Sequence, residues 1–190
     1  MNKRIVALLA ALLMVLTMFQ ASAEMTKDEK IAAITEVVKA YIAGEGFNFD
    51  YDDKSDLFEG TFTLDSALGE CDVTVFVYDD MVSVTAASSL RVPAENRDNA
   101  AIFLTLANYD EYYAQFRMDY EDGYVATRMA HLVENVIPTT AEIDTLMMMT
   151  ILTLDDYGNG LNKVALGADP HETYAETRQS IDGQATDKSL

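Results

Sequence analysis

Few groups in this chain could do chemistry, and their spacing limits what they could do. The 190 residues include 2 histidines and 1 cysteine. His131 shares its side of a period-two run with Val125, Thr127 and Met129, so it reads as a histidine at the rim of a sheet and not as a general base. His171 falls in the polar carboxy-terminal stretch. Neither belongs to a nucleophile or metal motif, for the chain contains no GxSxG, no HExxH and no phosphate-cradling glycine loop. Cys71 alternates with Val73, Val75 and Val77, which places its thiol on a buried apolar face where it is inert. A single cysteine also forms no internal disulfide. The 32 Asp and Glu residues are so many that no pair is singled out for acid–base work. The reading is of no catalytic set and no cofactor.

The segment Asn48 to Glu59, NFDYDDKSDLFE, comes nearest to a metal motif. Asn48, Asp50, Asp52, Asp56 and Glu59 fall at the ligand positions of an EF-hand loop, but Asp53 stands where the sharp turn takes glycine. Phe47, Phe49 and Tyr51 alternate with Asn48, Asp50 and Asp52, the pattern of a strand with one wet face. No metal site is expected there.

Charge narrows the partners. With 13 basic residues against 32 acidic ones the net charge is −19, which repels phosphate backbones and anionic lipid headgroups, so nucleic acid is excluded as a partner class. The amino terminus reads as an export signal: Lys3 and Arg4, an uncharged run from Ile5 to Phe19, then Ala21-Ser22-Ala23. Cleavage after Ala23 is expected, giving an extracytoplasmic mature chain, secreted or periplasmic, that starts at Glu24. The run is too short for a stable membrane anchor, and none follows in the mature chain. Losing Lys3 and Arg4 takes the charge from −19 to −21.

The elements that would position these residues follow from pattern. Thr26 and Glu29 form a capping box ahead of Ile31, Ile34, Val37, Val38, Tyr41 and Ile42, a helical stripe ended by Gly44 and Gly46. Strand signals cover Phe47–Asp52, Phe58–Leu64, Cys71–Tyr78 and Met81–Leu90, four antiparallel strands because each connection is too short for a parallel crossover. Pro93 opens a second helix with Ile102, Phe103 and Leu106 on its buried side, stopping near Asn108. A hairpin turns at Glu121-Asp122-Gly123 between Phe116–Tyr120 and Tyr124–Leu132. A third helix, capped by Thr139 and Glu142, runs to about Tyr157, where Gly158-Asn159-Gly160 breaks it before a short turn through Leu161, Val164 and Leu166. Residues 168–190 have few apolar positions and no period, and read as a disordered acidic tail.

This order of elements resembles the YbjN family, whose domain is similar in fold to type III secretion chaperones. The resemblance is concentrated between Asn108 and Gly167: in FRMDYEDGYVATR (Phe116 to Arg128), in Ile143 and Leu146, and in Asp156-Tyr157 with Leu161, Val164 and Gly167. It implies a sensory-transduction regulator or a chaperone-like protein, and brings no catalytic residues with it.

The third helix carries the one surface that stands out. Ile143, Leu146, Met147, Ile151 and Leu154 gather on the side that would face a sheet, while Met148, Met149 and Leu152 lie on the other, where an ordinary surface helix carries charge. They are the candidate partner-binding residues, adaptable thioethers among them. The sequence thus predicts an α+β domain over residues 24–167, with an antiparallel sheet of about six strands and three packed helices, type III secretion chaperone-like. It is read as non-enzymatic and as binding a protein partner or a second copy of itself. The competing class is an extracytoplasmic hydrolase or ligand-binding enzyme using surface carboxylates, which a deep pocket of converging Asp or Glu around His131 would favour.

Overall fold

The computed structural model describes residues 25–134 and 136–187. The expected export signal and its expected cleavage after Ala23 therefore lie outside the described residues. Helix α1 (Lys27–Glu45) leads into strands β1 (Phe49–Asp52), β2 (Leu57–Thr63), β3 (Glu70–Val77) and β4 (Met81–Arg91). A 3-10 turn (Ala94–Asn96) opens helix α2 (Arg97–Asp110), and β5 (Gln115–Met118), β6 (Tyr124–Leu132), α3 (Thr140–Ala165) and α4 (Pro170–Asp187) complete the chain. All strand pairs are antiparallel, in the order β1-β2-β3-β4-β6-β5. The α+β class and the sheet of six strands are as the sequence predicts.

The period of two sorts every side chain to one face. Tyr51, Phe58, Val75, Val84 and Met129 form one cross-strand row, and Phe49, Gly60, Val73, Ala86, Thr127 and Phe116 form the next. These rows meet the helices: the buried Thr127 hydroxyl donates to the Thr150 carbonyl oxygen of α3 at 2.8 Å. Cys71, Val73 and Val75 are at most 1% exposed, and burial of each valine contributes about 1.5–3 kcal/mol. The other face carries the row Asp50, Glu59, Thr74, Thr85, Arg128 and Gln115.

Helix starts follow the local chemistry. Thr26–Glu29 and Thr139–Glu142 are reciprocal capping boxes, and Gly46 at φ 72° ends α1 in the left-handed conformation that glycine adopts without strain. On α2 the buried face is Ala100, Phe103, Leu104 and Ala107; Ile102 is exposed, one residue out of phase with the expected stripe.

Two expectations are corrected. Gly158-Asn159-Gly160 does not break the third helix, which runs unbroken to Ala165. Both glycines are buried because neighbours need the space. A Cβ on Gly158 would come within 2.8 Å of Ser66 Cβ, and one on Gly160 within 2.6 Å of Phe103 Cζ. Tertiary contact here outweighs the ~1 kcal/mol that each glycine costs a helix interior. Second, residues 170–187 are a fourth helix, not a disordered tail, so the packed unit extends past residue 167. Helix α4 docks through short polar side chains, with Thr173 and Thr177 buried and the Thr177 hydroxyl donating to the Thr173 carbonyl oxygen at 2.8 Å. Residues 188–190 lie outside the described part.

Candidate functional site

Helix α3 lies on β4 and β6, with α1 along one flank and α2 and α4 along the other. This explains why it is apolar over most of its circumference. On the α1 flank the Tyr41 hydroxyl donates to Asp144 Oδ1 at 2.9 Å, and burial together with that carboxylate pushes the phenol well above its ordinary range. Further along, the β2–β3 loop is pinned to α3: Asp155 accepts the Asp65 and Ser66 backbone N–H groups at 3.2 and 2.8 Å, and Asn159 Oδ1 accepts that of Ala67 at 2.8 Å.

What remains uncovered is a narrow outward stripe. Met148 and Met149 are half-buried, and Leu152 is 45% exposed. Leu152 borders a cleft of about 620 Å³, lined also by Asp65, Asp155, Lys163 and Glu176. The stripe is free of charge from Thr145 to Leu154 in a chain of net charge −19. Such a surface can bury apolar area against a partner but offers no group for bond making.

The other candidate chemistry resolves into structure. His131 is half-buried and shares a shallow groove with Leu132, Glu134, Val136 and Glu142. Glu142 is already committed, accepting the Thr139 backbone N–H at 2.7 Å, and its hydrogen bonds to Thr139 hold its carboxyl below the usual range. Asn48 to Glu59 form the β1–β2 hairpin, in which Asp52 accepts the Lys54 backbone N–H at 3.0 Å across the turn. Among the described residues no three His, Cys, Asp or Glu side chains are grouped to hold a metal ion. Cys71 is buried, and burial pushes its thiol up to about 11. No described helix is long and apolar enough to cross a membrane.

One cluster was missed entirely. Arg178 of α4 donates to the Tyr157 hydroxyl at 3.2 Å and lies 3.5 Å from Asp110, 3.9 Å from Glu111 and 3.3 Å from Asp182. The Tyr157 hydroxyl in turn donates to Glu111 at 3.1 Å, and that of Tyr174 donates to Asp110. The only signal in the sequence was Thr173, Tyr174, Thr177, Arg178 and Ile181 at helical spacing, invisible to a search for apolar stripes.

These features define a domain of one antiparallel six-stranded sheet with helices packed against it. The chain belongs to the YbjN family: the profile of that family, described as "Putative bacterial sensory transduction regulator", matches residues 35–163, more than half of the chain. The match takes in the second half of α1 and the first four strands as well as the segment from Asn108 to residue 163. Among solved structures the chain is similar to YbjN of E. coli, described as "a putative transcription regulator", at TM-score 0.51 and 11% identity, covering 68% of this chain and 91% of that one. The ExsC-ExsE complex gives TM-score 0.43 at 12% identity, covering 68% of this chain and 92% of that one. No curated protein matches in sequence.

Proposed function

We propose that this protein is an exported, chaperone-like binding or regulatory module without catalytic activity, and that it contacts its partner through Met148, Met149 and Leu152. The observation that carries this reading is the charge-free outward stripe of α3, with Leu152 45% exposed beside half-buried methionines. Family membership supports a regulatory role. The hydrolase reading would need carboxylates converging on His131 in a deep pocket, whereas the groove there is shallow and its Glu142 is engaged in capping a helix.

The test is Met148→Lys with Leu152→Lys. Both positions reach solvent, so circular dichroism should be unchanged. Association with a captured partner or a second copy should weaken by more than about thirtyfold, the effect of losing a contact of about 2 kcal/mol at an interface centre. A folded double mutant with unchanged association removes the stripe as a binding surface. Export is tested separately by amino-terminal sequencing of the mature protein, which should begin at Glu24.

A further inference from the structure

The two edges of the sheet are finished differently. At the β5 edge, the Asn108 side chain of α2 stands where another strand would lie: its amide nitrogen donates to the Phe116 carbonyl oxygen at 3.0 Å, and its oxygen accepts the Phe116 N–H at 2.7 Å. One side chain thereby satisfies both outward backbone groups of that residue. At the opposite edge, among the described residues, the backbone of β1 bonds to β2 and to no other element. Such an edge offers N–H and C=O groups to an incoming strand.

The surroundings select what could come. A groove of about 680 Å³ lies over the outer face of β1, β2 and β3; its lining includes Asn48, Asp50, Glu59, Thr61 and Asp72, and no Lys or Arg. Asp50 sits directly opposite Glu59, and Asp72 lies on the same face one strand further in. Like charges opposite each other destabilise a sheet. None of these carboxylates has an ion pair among the described residues. A second copy does not answer this charge, because two antiparallel β1 strands would set Asp50 and Asp52 against their own kind.

We propose that the β1 edge is a docking site for an extended, basic segment of another protein, which adds as a seventh strand. Its period of two sets every second side chain beside Asp50 and Asp52, with Glu59 one strand further in, and turns the others to the side of the Phe49 and Tyr51 rings. The segment therefore alternates Lys or Arg with apolar residues. The site is separate from the α3 stripe and does not rest on it.

The probe is an eight-residue peptide alternating Lys and Val, added to the full chain. Binding should slow amide hydrogen exchange at residues 49–52, and should weaken at least tenfold in Asp50→Lys with Glu59→Lys. The neutral pair Asp50→Asn with Glu59→Gln should also weaken it, so the test survives if the reversal variant fails to fold. A Lys–Pro peptide of equal charge, which lacks half the strand donors, should bind at least tenfold more weakly. Met148→Lys with Leu152→Lys should bind the probe like the unsubstituted protein, keeping this result apart from that of the α3 stripe. No binding, equal binding of the proline peptide, or protection elsewhere than residues 49–52 would overturn the proposal.

Discussion

Gly160 of α3 and Thr177 of α4 touch so closely that a methyl group on the glycine would overlap the threonine hydroxyl. The missing side chain is the seat of the fourth helix. Gly160→Val should therefore destabilise the protein by about 2–3 kcal/mol through overpacking, despite its better helix propensity. Denaturant melts measure the loss, and limited proteolysis should cut first within α4.

Arg178 ties the same helix down by charge. It is partly buried and faces Asp110, Glu111, Asp182 and the Tyr157 hydroxyl, so Arg178→Met, which keeps most of the stem, should lose about 1.5–3 kcal/mol. Hydrogen exchange should quicken in α4 well before it does in the sheet.

Both capping boxes titrate. The Glu29 and Glu142 carboxyls are held below their ordinary value of 4.5 by hydrogen bonds from Thr26 and Thr139. Groups depressed in the folded state contribute stability above the unfolded pKa and lose it as pH falls through the folded one. Stability should thus drop on acidification below about pH 4.5, and Glu29→Gln with Glu142→Gln should flatten that acid limb. Thermal melts between pH 3 and 7 check the sign.

The thiol reports on the core. Cys71 is 1% exposed with its pKa pushed up to about 11, so a disulfide reagent at pH 8 should leave the native protein unmodified and label it fully in denaturant. Rapid native labelling would show that β3 is not packed as described.

What could be read from the sequence was local chemistry that agrees with the tertiary fold. The capping boxes, the alternation of Cys71 to Val77 and the turn at Asp122-Gly123 each specify their element alone. The failures share a cause. Gly158 and Gly160 look like breakers until Ser66, Phe103 and Thr177, which demand the space, are brought beside them. Helix α4 hides because its contacts are made by threonine, tyrosine and arginine, which count as polar in any apolar pattern. The Asn108–Phe116 pair carries no sequence signature at all, since it depends on where α2 ends relative to an edge strand. Of the candidate site, the charge-free stripe and the flanking helices α1 and α2 were legible, and α4 was not.

The sheet order fixes a sequence of events as well as a shape. Strand β4 pairs with β3 across a tight hairpin on one side, but on the other it waits for β6, as in Val84 with Met129, while α2 and β5 are still to come. A chain emerging from its amino terminus can complete the first four strands early, yet it leaves the 11-residue edge of β4 unpaired until β6 is made. Pairings so distant in sequence form slowly, and open strand edges are where nascent chains adhere to one another. Strand β4, one of the two central strands of the finished sheet, is thus closed only late, and the time before β6 arrives is the chain's most vulnerable interval.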